Sequence, residues 1–145
     1  RSSGGSSAPS PSSSGGAAYN FLHTAATGLI FYRNQQDATP FRLLQNGQAT
    51  IETAVSAAAV APVTAFMLQA RLFTSVSTPS AAYFATSDDS AAGPPTSGIV
   101  GVAPNSSAYT LFPMNSSQQI TYWNQSAPGV NQGAFVDVYG YLFDR

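Results

Sequence analysis

The amino-acid sequence predicts an all-β protein, an antiparallel β-sandwich of jelly-roll or immunoglobulin-like topology with an extended N-terminal arm. After Tyr19, short runs rich in β-branched and aromatic residues are separated by Gly, Pro, Asn and Ser, a pattern typical of strands and turns. Helical periodicity is almost absent, which favours a sandwich or barrel-like sheet. A chain of 145 residues can bury one core without disulfides. We therefore expect an arm or linker over residues 1–18 and a β-sandwich domain over residues 19–145.

Residues 1–18 read RSSGGSSAPSPSSSGGAA, a low-complexity mixture of Ser, Gly and Pro. Such a composition cannot bury enough apolar surface to order itself. One interpretation is a flexible linker or stalk. The other is an arm that lies against neighbouring subunits, because termini become ordered when something holds them.

The rest of the chain divides into strand candidates that alternate apolar and polar residues or are apolar on both faces. They cover residues 27–33, 40–44, 49–56, 64–76, 81–87, 97–103, 107–114, 118–125 and 133–143. Between the second and third candidates, the Asn46-Gly47 dipeptide predicts a two-residue hairpin loop. The alanine-rich residues 53–61 predict a strand that runs into a short turn of helix, which Pro62 ends.

The final strand carries one carboxylate, Asp137, among aromatic and aliphatic residues. Because side chains alternate along a strand, the sequence predicts one face with Val136, Val138, Gly140 and Leu142, and a second with Phe135, Asp137, Tyr139, Tyr141 and Phe143. We expect Asp137 to be a structural carboxylate that accepts backbone hydrogen bonds or pairs with Arg42 or Arg71. Gly140 leaves space for the close approach of a neighbouring ring or backbone.

The same strand, FVDVYGYLF, resembles the V-x-D-V-x-G-Y-F ending of a β-rich module repeated in secreted and cell-surface proteins of actinobacteria and related bacteria. PFRLL (40–44) is similar to the module's opening, NGQATIETAVS (46–56) to its Gly-Gln strand, and ITYWNQSA (120–127) to its penultimate strand. Where the module usually continues with LDTR, this chain has LLQN (43–46). The resemblance implies a secreted β-module without an established catalytic activity.

The composition is unusually poor in charge. Charged residues make up 8% of the chain, the formal net charge is -1, and lysine is absent. A nucleic-acid partner is therefore not expected, since phosphate binding needs clustered Lys and Arg. The sequence has no run of 18 apolar residues, so a membrane span is not predicted. A neutral surface of Ser, Thr, Asn and Gln repels other copies little, which favours contact with other copies or with glycans.

The residues for catalysis or metal binding are few. Cysteine is absent, and His23 is the only histidine, so neither a zinc site nor a positioned triad is predicted. The adjacent Asp88 and Asp89 are weak candidates for a calcium site, although a solvated turn is the simpler interpretation. We expect no cofactor, and we expect that the chain is not an enzyme.

Three Asn-x-Ser sequons, at Asn105, Asn115 and Asn124, are possible glycosylation sites. Asn105 and Asn115 lie beside strand candidates and Asn124 lies near the end of one, at turns where a glycan would be sterically allowed. A glycoprotein is therefore one possibility for this chain.

These observations favour a non-enzymatic structural subunit of a secreted, cell-surface filament or similar assembly, in which the arm contacts neighbouring subunits. The alternative is a glycan- or cell-wall-binding module that presents the aromatic residues Tyr122, Trp123, Tyr139 and Tyr141. A further alternative is a capsid or tail decoration protein of a virion, because β-sandwiches with extended arms also build virions.

Overall fold

The computed structural model describes residues 21–24, 28–32, 41–76, 80–86 and 100–143. Within these ranges the chain is all-β, and every regular element is a strand. The strands are β1 (Phe21–Thr24), β2 (Leu29–Tyr32), β3 (Arg42–Gly47), β4 (Thr53–Ser56), β5 (Ala65–Thr74), β6 (Ala82–Thr86), β7 (Val100–Val102), β8 (Ser107–Pro113), β9 (Gln119–Asn124) and β10 (Ala134–Phe143). All the predicted strands are present, whereas β1 was not predicted. The described residues contain no helix of the length and hydrophobicity that crossing a bilayer requires.

The strands form two antiparallel sheets that pack as a β-sandwich. The six-stranded sheet has the order β1-β2-β10-β5-β8, with β3 also paired to β10, and the four-stranded sheet has the order β4-β9-β6-β7. Four pairs are nested within one another along the chain: β3 with β10, β4 with β9, β5 with β8 and β6 with β7. This nesting is the jelly-roll arrangement. The predicted fold class is confirmed. Of the two topologies considered, jelly roll and immunoglobulin-like, the chain has the jelly roll.

The hydrophobic core lies between the two sheets. In β5, Leu68, Ala70 and Leu72 are fully buried and face inward, whereas the residues between them are only partly buried. Val136 and Val138 of β10 lie beside them in the six-stranded sheet. The four-stranded sheet contributes Ala82, Phe84, Val102, Ile120 and Tyr122 to the same cluster.

A bulge in β10 reverses the predicted facing of its last residues. Val138 is opposite Ala70, but the next registered pair is Gly140 with Gln69, so Tyr139 is the extra residue. A one-residue bulge moves every later side chain to the other face. Tyr141 is therefore opposite Leu68 and belongs to the core. The prediction that Tyr141 shares a face with Asp137 is wrong.

The buried position of Tyr141 predicts a loss of stability at alkaline pH. Burial raises the pKa of the Tyr141 phenol above its ordinary value, whereas in the unfolded chain it ionises near pH 10. The stabilisation from the folded state's higher pKa is fully present below about pH 10 and is lost as the pH rises through the folded pKa. Tyr141→Phe should reduce this loss, measured as the change in free energy of unfolding in urea between about pH 8 and pH 11. An equal loss in the wild type and the variant would contradict the assignment.

Gly140 permits the closest backbone contact in the six-stranded sheet. It pairs with Phe31 of β2, and a Cβ built on it would lie 2.1 Å from the carbonyl oxygen of Ile30 and 3.1 Å from its carbonyl carbon. A carbon atom cannot occupy that position unless the strands separate. The approach expected from the sequence is thus made by backbone rather than by an aromatic ring.

Asn46 and Gly47 do not form the predicted hairpin loop. Both belong to β3, whose partner is β10, whereas β4 lies in the other sheet. Asn46 has a positive φ of 51°, and the β3–β10 register shifts between Val136 and Ala134, as expected at a bulge. A Cβ on Gly47 would lie 2.6 Å from the ring of Tyr122. The glycine is therefore required by close packing rather than by a hairpin turn.

The alanine-rich stretch forms a strand and a turn, with no helix. Residues Thr53–Ser56 are strand β4. The Ala61 N–H donates to the Ala57 carbonyl at 3.0 Å, which closes a single turn, and Pro62 follows directly. One closed turn without propagation is what a short segment ended by proline can form.

Candidate functional site

A row of charged side chains crosses the outer face of the six-stranded sheet. Asp137 of β10 is registered opposite Arg42 of β3 on one side and Arg71 of β5 on the other. Since Val136 and Val138 face the core, alternation places Asp137 on the outer face. The sheet register therefore brings one carboxylate between two guanidinium groups.

Asp137 is held by both arginines. Arg42 Nε donates to Oδ1 at 2.7 Å and its NH2 group donates to Oδ2 at 3.1 Å, which is the two-pronged geometry that favours arginine–carboxylate pairs. Arg71 NH1 lies 3.8 Å from Oδ2. The Asp137 side chain is 0% exposed, whereas those of Arg42 and Arg71 are 16% and 28% exposed. The pairing expected for this carboxylate is present, with Arg42 as the closer partner.

Aromatic rings surround this ion pair. The Arg42 guanidinium lies 5.2 Å from the Phe135 ring centroid, and that of Arg71 lies 4.9 Å from Phe73 and 5.9 Å from Tyr109, distances at which cation–π attraction operates. Phe73 and Phe135 contact each other, with centroids 4.6 Å apart. We refer to these side chains together with the stacked Tyr109–Tyr139 pair as the outer-face cluster, which comprises Arg42, Arg71, Phe73, Tyr109, Phe135, Asp137 and Tyr139.

The outer-face cluster carries a net positive charge beside an exposed aromatic ring. Two guanidinium groups and one carboxylate give it a net charge of +1. Desolvation raises the pKa of the Tyr139 phenol above its ordinary value. Tyr109 and Asp137 raise this pKa further by smaller amounts, and Arg71 lowers it. The Tyr139 hydroxyl is therefore neutral at physiological pH. Tyr109 is 63% exposed and stacks on Tyr139 at 6.0 Å and 14°. The cluster thus offers one accessible ring, a hydroxyl and a partly exposed cation.

The four aromatic residues predicted to bind a ligand do not form an exposed row. Tyr122 and Tyr141 lie in the main core, and Trp123 is fully buried in a separate cluster with Ala85. Tyr139 alone is partly exposed, in the outer-face cluster. These positions separate because β9 and β10 lie in different sheets and because the bulge reverses Tyr141.

Tyr109, the most exposed ring of the outer-face cluster, was not predicted as a site residue. Its accessibility depends on β8 being the edge strand of the six-stranded sheet. The local sequence alternates Tyr109 and Leu111 with Thr110 and Phe112, so it is apolar on both faces. Nothing in that pattern indicates which face is exposed.

The three sequons differ in accessibility. The Asn124 side chain is fully buried, and its Nδ2 donates to the carbonyls of Gly47 at 2.9 Å and Ala49 at 3.0 Å. A glycan on that nitrogen is incompatible with the folded chain, because the atom is enclosed and already bonded, so the expectation for this sequon does not hold. Asn115 accepts bonds from the N–H groups of Ser117 and Gln119, and Asn105 is exposed in a turn.

Few acidic groups lie in the described part of the chain. Asp88 and Asp89, the weak calcium candidates, lie outside the described residues. Within the described ranges, no three His, Cys, Asp or Glu side chains converge on a point where a metal ion could bind. Glu52 lies on the four-stranded sheet side, where its Oε1 accepts from the Thr121 hydroxyl at 2.9 Å.

The described residues include four charged side chains, Arg42, Glu52, Arg71 and Asp137. Each is bound to or paired with another side chain, three in the outer-face cluster and one with Thr121. The described residues therefore carry few charges, with two positive and two negative groups that sum to zero, and the other polar groups are hydroxyls, amides and backbone.

Comparisons with known proteins do not add a relative. No protein-family model matches the chain, and no curated protein or solved structure matches it with significant similarity.

Proposed function

We propose that this chain is a non-enzymatic structural subunit that assembles with copies of itself on an extracellular surface. The observation that carries the proposal is the small number of charged side chains and the way in which they are paired. All four charged side chains in the described ranges are engaged with neighbours in the same chain. Their charges sum to zero, so copies of such a body can approach with little like-charge repulsion, which is what normally keeps soluble proteins apart.

Exposed apolar side chains support self-assembly. Large hydrophobic residues are exposed at several positions of the described surface: Ile51, Val63, Phe66, Tyr109, Leu111 and Val130. Single exposed apolar residues are ordinary. Here they accompany few charged groups, whose charges sum to zero within the described residues, and this combination favours contact with other molecules over free solution.

The N-terminal segment supplies the second contact in this proposal. Residues 1–18 are rich in Ser, Gly and Pro, and they lie outside the described residues. A segment of this composition gains order by binding to a folded neighbour. An assembly that grows needs at least two contact surfaces on each subunit, and the arm is the one that the sequence favours.

The extracellular location rests on the sequence. The resemblance of the β10 motif to modules of secreted and cell-surface proteins supports it, as does a surface of hydroxyls and amides without lysine. The jelly-roll fold also occurs in capsid and lectin domains, but a fold does not define a function. It is compatible with the structural subunit and with both alternatives.

Removal of residues 1–18 should abolish assembly and leave the domain folded. We expect the full chain to form filaments or larger particles, seen by electron microscopy and light scattering. The truncated chain should remain small, with an unchanged circular dichroism spectrum and melting temperature. A matched control replaces residues 1–18 by a glycine-rich segment of equal length, and it should assemble no better than the truncation.

Two results would reject this proposal. The first is a truncated chain that assembles as the full chain does. The second is a full chain that stays monomeric at every concentration and instead binds an insoluble polysaccharide. That second result would support the glycan-binding alternative, whose favourable observation is the exposed Tyr109 stacked on Tyr139 beside Arg71. Closed shells in place of filaments would support a virion protein.

A further inference from the structure

Strand β8 forms an open edge of the six-stranded sheet. In the described chain, it is the last strand in the sheet order, and it pairs with β5. The Met114 N–H donates to the Phe66 carbonyl, and the Thr74 N–H donates to the Ser106 carbonyl. These bonds lie at the two ends of one continuous β5–β8 register. Since hydrogen-bonded pairs recur at every second residue, the even-numbered residues of β8 bond to β5.

The odd-numbered residues of β8 consequently point their backbone groups away from the sheet. Ser107, Tyr109 and Leu111 each direct an N–H and a C=O to the open edge, whereas Pro113 has no N–H to offer. On the outer face, Tyr109 and Leu111 also expose 63% and 43% of their surface. The Leu111 carbonyl accepts from the Thr110 hydroxyl at 3.1 Å, and its second lone pair can still accept an N–H. The edge therefore combines backbone groups that have no strand partner with apolar side chains.

This edge lacks the features by which proteins usually prevent strand pairing. It has no charged residue and no register shift along its length, and its proline is the last residue. Other edges in the described ranges are protected. Strands β1, β4 and β7 have four, four and three residues, and β3 shifts register twice against β10. The seven residues of β8 are the long, regular exception.

We propose that β8 pairs antiparallel with β8 of a second copy about a two-fold axis, so that the two six-stranded sheets become continuous. In the register that we propose, Tyr109 lies opposite Tyr109 of the second copy, and Ser107 lies opposite Leu111. All three outward N–H groups then find a carbonyl. A register shifted by one residue in each copy would instead place Ser107 opposite Pro113 and Tyr109 opposite Leu111.

The second copy fits this edge for reasons of charge and strand propensity. An uncharged strand meets its own copy without like-charge contact, and Tyr, Thr and Phe are favourable in strands. The arm is the weaker candidate, because Pro9 and Pro11 lack N–H groups and Gly pairs occupy positions 4–5 and 15–16. The β8 contact closes a dimer, and the arm would connect dimers. This inference rests on the self-association in the proposed function, and it identifies the β8 edge as the surface through which two copies associate.

Single cysteines test this register directly, because the chain has no cysteine of its own. Opposite residues of a hydrogen-bonded antiparallel pair have Cα atoms about 5.5 Å apart, within disulfide range. Full-length Tyr109→Cys, oxidised with oxidised glutathione, should therefore give a covalent dimer on a non-reducing gel. Ser107→Cys and Leu111→Cys should each remain monomeric alone, since like positions are then about 13 Å apart along the strand. A mixture of these two variants should cross-link.

The controls separate this inference from the proposed function. Val130→Cys is the control for cross-links that form by random collision, because Val130 lies outside β8 and is 88% exposed. The β8 pairing is overturned if Tyr109→Cys cross-links no faster than this control and the mixture of Ser107→Cys and Leu111→Cys gives no cross-link. This holds even if arm-dependent assembly persists. A cross-link from Tyr109→Cys to a Ser12→Cys arm overturns it in favour of the arm. A β8 dimer that never grows larger supports the pairing and rejects only the proposed assembly.

Discussion

Replacement of Asp137 by alanine should lower the free energy of unfolding by about 3 kcal/mol. Loss of one partner of a buried ion pair typically costs about 3 to 5 kcal/mol, because the other charge is left without compensation. Asp137 is fully buried, while Arg42 and Arg71 retain some contact with water. We therefore expect the lower end of that range. Urea unfolding can be followed by the fluorescence of Trp123, the only tryptophan, which is buried.

A double-mutant cycle shows whether the cost arises from the unpaired arginine. Asp137→Leu alone should be as destabilising as the alanine variant, whereas Arg42→Leu combined with Asp137→Leu should recover most of the loss, because apolar replacements of buried pairs are often nearly neutral. Glu52→Ala provides a matched control, since that carboxylate contacts a hydroxyl and should cost no more than about 1 kcal/mol. Asp137→Ala within about 0.5 kcal/mol of the wild type would refute a structural carboxylate.

Gly140→Ala should have an effect of similar size, about 3 kcal/mol, at the upper end of what overpacking costs. The added methyl group would meet the Ile30 carbonyl at 2.1 Å. A backbone carbonyl cannot rotate away as a side chain does, so β2 must separate from β10. We expect the Leu29–Tyr32 amides to exchange with solvent much faster than in the wild type, because their strand pairing is lost first.

Gly101→Ala is the control for this prediction. Gly101 is also a strand glycine, in β7, but a Cβ there lies 3.3 Å from the Tyr83 ring, whose edge can shift slightly. Its replacement should change the free energy of unfolding by no more than about 0.5 kcal/mol. Equal effects of the two substitutions would mean that the contact with Ile30 does not set the cost of Gly140→Ala.

The fold could be predicted to the level of strands and their class. Alternating apolar residues and turn residues located β2 to β10, because both signals are local. Strand β1 was missed, since its four residues FLHT follow a low-complexity segment and show no alternation. The Asn46-Gly47 hairpin was wrong because the tertiary pairing of β3 with β10 outweighs a local turn preference. The pairing order itself arises from contacts between residues far apart in sequence.

The candidate site could be predicted only in part. Asp137 and its arginine partners followed from chemistry, because an isolated carboxylate in an apolar strand needs a cation and the chain has five arginines. The position of Tyr141 could not be predicted, since the bulge at Tyr139 has no local signature. Tyr109 could not be identified either, because its exposure depends on which strand ends the sheet.

The nested strand pairing has a consequence for biosynthesis. Arg42 and Asp137 are 95 residues apart in sequence, yet β10 is the central strand to which β2, β3 and β5 attach. A nascent chain on the ribosome cannot complete this sheet until β10 has emerged, so β2, β3 and β5 wait for a strand that is made after all the others in the described chain. Contacts between such distant segments also make folding slow. We therefore expect refolding of this chain to be slow for a domain of its size.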